Sequence, residues 1–356
     1  MNMLSTEVET SHDPEGYDVP AVEAWIRDRI DGVCTPLKWT HLLGGHSNLT
    51  YRVDSQNGLS AVIRRPPRGE LLPKAHDMGR EWAVITALAP TAVPVPQGYA
   101  FCEGPDVTGA WFYLMELIDG HPLYNLEDTN EWVPQSKREQ LACSFIDILA
   151  DLHALDPDEI GLGDLGKKEG YVARQVRTWY RSWMSSIEAA QYDDDRAHEL
   201  QRFFIDNMPE QGKARLVHGD YGLHNCLVGP NCTVAAVVDW EISTLGDPLA
   251  DLGYALNQWP ACRDEIPGDS VAATSAPGFP PQQVLVERYA ERTGRDLSKL
   301  DYYLAFNRWK TAAINHGVYA RYMAGQKSTE GIDLDGLVTT IDTSLTLSAE
   351  LVGKIR

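Results

Sequence analysis

Apolar and polar positions along the chain fall into patterns that predict its elements one after another. VPAVEAWIRDRI (19–30) has apolar residues at helical spacing. In WTHLLGGHSNLTYRVDSQNGLSAVIRR (39–65) the run LTYRV alternates and AVI is a short buried run, so this stretch predicts two strands. Asn57-Gly58 between them is a hairpin turn signal, because both residues tolerate the positive φ that a tight hairpin needs. PPRGELLP reads as a loop, and HDMGREWAVITALAP is helical until Pro90 stops it. VPVPQGYAFC and AWFYLMELI are two further strand-like runs around the Gly-rich turn CEGPDVTG. Residues 39–118 therefore predict strand, strand, helix, strand, strand.

The pattern changes at Asp119. SKREQLACSFIDILADLHAL (136–155) is a long amphipathic helix, and YVARQVRTWYRSWMSSIEAA and DDDRAHELQRFFIDNM are two more. Two short apolar runs follow in LVHGDYGLHNCLVGPNCTVAAVVDWE (216–241), then LADLGYALNQW, a Pro/Gly-rich segment (267–281) and three helical stretches through residue 350. A small sheet-rich lobe (19–118) thus precedes a larger helical lobe (119–356), with MELIDG (115–120) as the joint. Residues 1–18 read as a flexible lead-in.

Composition narrows this picture. At 356 residues, with 43% hydrophobic and 23% charged residues, the chain is globular and long enough for two lobes. No apolar run approaches the ~18 residues of a membrane span. The polar, acidic start MNMLSTEVETSHDPEG lacks the basic and apolar regions of a secretory signal. A net charge of −20 repels nucleic acid and anionic lipid, so neither is an expected partner. The six cysteines are scattered without CxxC or zinc spacing, which fits reduced thiols in a cytoplasmic protein.

Candidate chemistry concentrates in residues 216–241. A β-hairpin there would gather Asp220, Asn225 and Asp239 at its strand ends. Singly, each is an ordinary turn or cap residue. Together, two carboxylates and an amide carbonyl are hard oxygen ligands suited to Mg²⁺. Magnesium held by so few protein groups, with substrate phosphates completing its shell, points to phosphoryl transfer from a nucleotide.

His218-Gly219-Asp220, Asn225 five positions after the Asp, and Asp239-Trp240 about twenty residues on resemble the catalytic core of the aminoglycoside phosphotransferase family. LGDPLADLGY (245–254) extends the resemblance, which covers most of the chain. It implies an α+β, bilobal protein-kinase-like fold with a small antiparallel-sheet N-lobe and a larger helical C-lobe. It also implies ATP as phosphoryl donor, Mg²⁺, and the hydroxyl of a small molecule as acceptor. By position, Asp220 would be the catalytic base, Asn225 and Asp239 the metal ligands, and His218 a structural support of the catalytic loop.

On the nucleotide side, Gly44, Gly45 and Ser47 in LLGGHSNLTYRV occupy the place of the phosphate-covering loop, although the motif is not GxGxxG. The strand cation is Arg64 by the family pattern, where many kinases use Lys; a guanidinium grips phosphate through a bidentate fork. Arg65 competes, because alternation points the two side chains to opposite faces. Glu81 would pair with the cation, and the backbone from Glu116 to Ile118 would bond adenine, with Met115 packed beside it. Acceptor-lining candidates are Tyr221, Glu241, the ALNQW stretch and the helix 306–322. Arg308 and Lys310 on that helix read as surface charges, and Asp247 and Asp251 as loop and N-cap residues.

Two acceptor classes remain open. An acidic chain suits the polycationic sugars of aminoglycoside kinases. The phrases YAERTGRDLSKLDYYLAF, LLPKAHDMGREWAVI and LMELIDG look more like the branch of kinase-like domains associated with acyl-CoA dehydrogenases, which implies a hydroxyacyl-CoA. A CoA ester would need a local basic patch, with Arg174, Arg177 and Arg181 as candidates. A non-catalytic nucleotide- or metabolite-binding protein is the third possibility, but no essential group is missing. A protein kinase fits less well, since no activation loop or Ala-Pro-Glu motif follows Asp239.

Overall fold

The computed structural model describes residues 7–10, 14–42, 48–69, 77–261, 271–326, 329 and 331–355. The first lobe is an antiparallel six-stranded sheet in the order β1-β2-β3-β4-β6-β5. Its strands are β1 (Glu7–Thr10), β2 (Lys38–Leu42), β3 (Leu49–Asp54), β4 (Ser60–Arg65), β5 (Gly98–Cys102) and β6 (Phe112–Glu116). Asn57-Gly58 forms the β3–β4 turn, with Gly58 at φ +93° and its N–H on the Ser55 carbonyl. That φ requires a residue without a β-carbon.

Alternation along β4 sorts its side chains into two layers. Ala61 and Ile63 face outward with Trp39, Tyr51 and Phe112, under helix α1 (Val19–Arg27). Val62 faces inward with Met115 and Tyr113, against helix α2 (Met78–Leu88). Asp77 caps α2 by accepting the Arg80 N–H, which places Glu81 in the helix's first turn.

Two features of this lobe differ from the sequence expectation. Lys38–Leu42 is a third strand before the helix; Trp39 and Thr40 are both buried in succession, so the run shows no clean alternation. Residues 1–18 are not all a loose lead-in: Glu7–Thr10 pairs with β2, and Tyr17 is buried with its hydroxyl on the Leu49 carbonyl.

The second lobe is mainly helical. Helices α3 (Leu126–Trp132), α4 (Arg138–Ala154), α5 (Tyr171–Ala190), α6 (Asp195–Asp206), α7 (Pro248–Leu256), α8 (Gln282–Thr293), α9 (Leu300–Met323) and α10 (Leu334–Ile355) surround two small antiparallel ribbons. β7 (Arg215–Val217) pairs with β10 (Thr244–Gly246), and β8 (Cys226–Val228) pairs with β9 (Val234–Val237). One apolar core runs from Val62, Ile85 and Met115 in the first lobe to Phe145, Tyr221 and Trp240 in the second. A second core joins α5, α6, α9 and α10 through Trp183, Phe204, Phe306 and Trp309. Among the described residues no helix is long and apolar enough to cross a membrane.

Candidate active site

Register brings the three oxygen-bearing side chains together. Cys226 pairs with Val237, and the Val238 N–H bonds the Asn225 carbonyl at 3.0 Å, so Asn225 and Asp239 end neighbouring strands. Asp239 has φ +67°, a left-handed conformation that turns the chain sharply out of the ribbon. The Asn225 amide donates to the Asp220 carbonyl at 2.9 Å and to its Oδ2 at 3.2 Å.

Arg64 reaches the same point from the first lobe. Its Nη2 donates to Asp239 Oδ1 at 2.7 Å, and its Nε lies 3.2 Å from Glu81 Oε2. The second contact is an ion pair without an aligned hydrogen bond. Burial alone would lower the Arg64 pKa, but Glu81, Tyr113 and Asp239 outweigh it and raise it. Burial raises the Glu81 pKa despite the guanidinium beside it. Arg65 points away: its Nε donates to the Pro66 carbonyl, and its Nη1 donates to the carbonyls of Gly16 and Thr108. Of the two candidate arginines, only Arg64 lies with Asp239.

The loop His218–Asp220 is anchored by Asp251, whose place in the sequence suggests only a helix cap. Helix α7 starts at Pro248 with Asp247 as its cap, so Asp251 lies inside the first turn and is buried. Asp251 Oδ2 accepts the His218 N–H at 2.7 Å and Oδ1 accepts the Gly219 N–H at 2.8 Å. Nε2 of the buried His153 is 3.3 Å from the same carboxylate. Burying a carboxylate costs several kcal/mol, and charge-assisted hydrogen bonds of about 1.5–3 kcal/mol each offset that. The result is a fixed backbone under Asp220. His218 supports the loop from its other side: Nδ1 accepts the Asp220 N–H at 3.3 Å and Nε2 donates to the Val238 carbonyl at 3.0 Å.

Asp220 therefore sits in a cage of donors. Tyr254 on α7 donates its hydroxyl to Asp220 Oδ1, and His224 Nε2 is 3.4 Å from Oδ2. Burial would raise the Asp220 pKa, but the His224 and Tyr254 contacts prevail and hold it at about 2. Lys310, read as a surface charge, is buried instead. Its ammonium donates to the Gly219 carbonyl at 3.0 Å and lies 4.5 Å from the Tyr254 ring centroid. Burial lowers its pKa, opposed by Asp220 and Asp251.

Other candidates divide. Gly44, Gly45 and Ser47 lie outside the described residues. The next residue, Asn48, donates to Glu241 Oε2 at 3.1 Å, in the turn after Asp239. The Glu116 N–H donates to the Gln97 carbonyl at 2.8 Å, so an adenine contact at this residue would fall to its carbonyl. Leu117 and Ile118 lie past the end of β6 and are half-buried. Tyr221 does not line a pocket; it is buried with its hydroxyl on the Phe145 carbonyl. Arg174 is held by the carbonyls of Lys167 and Glu169, while Arg177 and Arg181 are exposed. Tyr254, Asp251, His153 and Lys310 escaped the sequence reading as site residues, because each acts through a contact distant in sequence.

The donor set fits a hard divalent cation. The second carboxylate oxygen of Asp239 and the amide oxygen of Asn225 make no hydrogen bond among the described residues, which leaves two oxygens for such an ion.

Comparison with known proteins agrees with this geometry. A family model described as the phosphotransferase enzyme family matches residues 38–297. The chain belongs to that family. Curated relatives of this family member include acyl-CoA dehydrogenase family member 11 from Rattus norvegicus, 33% identical over 325 residues, covering 88% of this chain and 41% of the relative. Family member 10 from Mus musculus is 32% identical, covering 90% of this chain and 30% of the relative. The chain thus spans well under half the length of these relatives. Among solved structures, a candidate aminoglycoside phosphotransferase from Ralstonia eutropha superposes with a TM-score of 0.80 at 29% identity, covering 95% of this chain and 99% of that one. Choline kinase from Cryptosporidium parvum shares the fold, with a TM-score of 0.66 at 14% identity, covering 95% and 97%. The fold is therefore protein-kinase-like, with an antiparallel first lobe and a helical second lobe.

Proposed function

We propose that this phosphotransferase-family chain moves the terminal phosphoryl group of ATP onto the hydroxyl of a small molecule, and that the hydroxyl belongs to a hydroxyacyl-CoA. The observation that carries the reading is the chain of contacts by which Arg64, paired with Glu81 in the first lobe, reaches Asp239 in the second, beside Asn225 and Asp220.

In this reading Asp220 is ionised at neutral pH and accepts the hydrogen bond of the acceptor hydroxyl. It takes that proton as the new O–P bond forms, a modest demand because phosphoryl transfer is largely dissociative. Arg64 presents its fork to phosphate oxygens, and Glu81 fixes its angle. Mg²⁺ bound at Asn225 and Asp239 would neutralise charge on the donor phosphates. Gly44, Gly45 and Ser47 would cover those phosphates, and adenine would lie against Met115, Leu117 and Ile118. Lys310 and Tyr254 position the loop and the base.

The thioester acceptor is supported by relatives whose names contain acyl-CoA dehydrogenase. An aminoglycoside acceptor is the second reading, favoured by the name of the Ralstonia eutropha neighbour and by the net charge of −20. Purified protein incubated with ATP, Mg²⁺ and a panel of hydroxyacyl-CoAs, amino alcohols and aminoglycosides tests both. Hydroxyacyl-CoA is expected to be phosphorylated, and Asp220→Ala to slow transfer by about 10²–10⁴-fold while still binding ATP. Turnover of aminoglycosides alone would reject the thioester, and an unaffected Asp220→Ala would reject the assigned base.

A further inference from the structure

Arg308 on α9 is a half-buried cation without a counter-charge. Its guanidinium has neither hydrogen bond nor ion pair among the described residues, and burial alone acts on it, pulling its pKa down to about 10. Other arginines set into the fold are held. Arg64 meets two carboxylates, Arg65 three carbonyls, and Arg138 two carbonyls and the Asn130 amide oxygen. In a chain of net charge −20, this five-donor group has no acceptor among the described residues and keeps its fork available to a ligand.

Its surroundings indicate which ligand. Arg308 lines a cavity of about 520 Å³ together with Asn257, Gln258, Ser275, Lys354 and the exposed Glu350. Glu350 is not among the groups that act on Arg308. The cavity borders the catalytic loop. Gln258 lies against Gly222, where no side chain would fit, and its Nε2 is 3.5 Å from the Tyr221 carbonyl. Asn257 follows by one turn the Tyr254 that bonds Asp220. The α7 end thus serves both the base and the cavity.

We infer that Arg308 binds an anionic group of the acceptor, a phosphate or a carboxylate, and so selects anionic over cationic hydroxyl compounds. The inference rests on the phosphotransferase reading of the cleft and gives the acceptor its charge. A guanidinium fork matches the planar carboxylate and the phosphate edge, and it repels a polycationic sugar.

The test compares full-length wild type, Arg308→Lys and Arg308→Gln with three acceptors: a hydroxyacyl-CoA, the matching hydroxyacyl-pantetheine without the CoA phosphates, and the free hydroxy acid. Arg308→Gln is expected to raise KM at least ten-fold for an anionic acceptor, with a smaller effect on kcat, and Arg308→Lys to restore part of the loss. An effect on the CoA ester but not the pantetheine ester assigns phosphate. An effect on the free acid assigns carboxylate. An unchanged KM for every anionic acceptor, or an equal rise for the pantetheine ester, overturns the inference. Thermal melting and the Kd of a non-hydrolysable ATP analogue, both unchanged, would show that the variants fold.

If wild type phosphorylates none of the three, the proposed acceptor fails separately, and binding decides for Arg308. With the analogue and Mg²⁺ filling the nucleotide site, CoA and the hydroxy acid are titrated by calorimetry. At least ten-fold weaker binding to Arg308→Gln sustains the inference. Equal binding to both proteins, or none to wild type, overturns it.

Discussion

The two faces of β4 carry the same residue type to opposite ends. Arg64, on the inner face, meets the carboxylates of Glu81 and Asp239. Arg65, on the outer face, meets three backbone carbonyls and lies 5.8 Å from the Tyr17 ring centroid. A guanidinium facing carboxylates is part of a charge system that a phosphate can enter. A guanidinium facing carbonyls is a structural tie, whose loss is felt in folding rather than in binding. Residue type therefore says little about an arginine's task, while the identity of its acceptors says much.

Three substitutions test this contrast, in order of expected effect. Arg64→Ala should slow phosphoryl transfer by about 10²–10³-fold, the usual scale for removing one preorganised donor. It should also destabilise the fold by about 3–5 kcal/mol near neutral pH, because Glu81 stays buried without its counter-charge. Glu81 is already raised above its unfolded value, so its favourable contribution is present below about pH 4.3 and lost as pH rises through the folded pKa. The stability gap between wild type and Arg64→Ala, read from denaturant titrations, should thus narrow from pH 7 to pH 5. A gap independent of pH would contradict the buried pair.

Arg65→Ala comes next. It leaves the carbonyls of Gly16 and Thr108 without their donor, which costs about 1–3 kcal/mol. Its melting temperature should fall while its affinity for an ATP analogue matches wild type. Weakened nucleotide binding at a temperature where the variant is folded would erase the contrast between the faces.

Tyr254→Phe is the mildest change. It removes a donor that favours ionised Asp220, whose pKa is held at about 2, so that pKa rises. The acid limb of the kcat/KM profile should move to higher pH by less than about one unit. A shift to lower pH would mean that Tyr254 does not stabilise the charged form.

How much of this was legible in the sequence depended on contact range. Asp220, Asn225 and Asp239 lie within twenty residues and close on one ribbon, so their spacing alone suggested that they meet. Helices α4, α5 and α6 were readable from apolar periodicity, because each buries one stripe. β1 was not readable, since its pairing partner β2 lies some thirty residues away and nothing in its own pattern points there. Asp251 looked like a cap because carboxylates often start helices; only the distant His218, Gly219 and His153 reveal its task. Lys310 failed the exposure rule because the Gly219 carbonyl and the Tyr254 ring compensate its burial. The choice between Arg64 and Arg65 needed to know which face of β4 turns toward α2, and two neighbouring aliphatic residues could not tell.

Arg80, next to Glu81, ties the first lobe to the second. Its Nη1 donates to the Ser243 carbonyl at 2.8 Å and to the Leu165 carbonyl at 3.1 Å, both in the helical lobe. Many protein kinases are silenced by swinging the glutamate-bearing helix outward. Here such a swing would have to break a two-point clamp, so the pairing of Glu81 with Arg64 stands assembled at rest. If the chain transfers phosphate as proposed, its throughput would follow the arrival of acceptor and nucleotide, without an on–off lever at this helix.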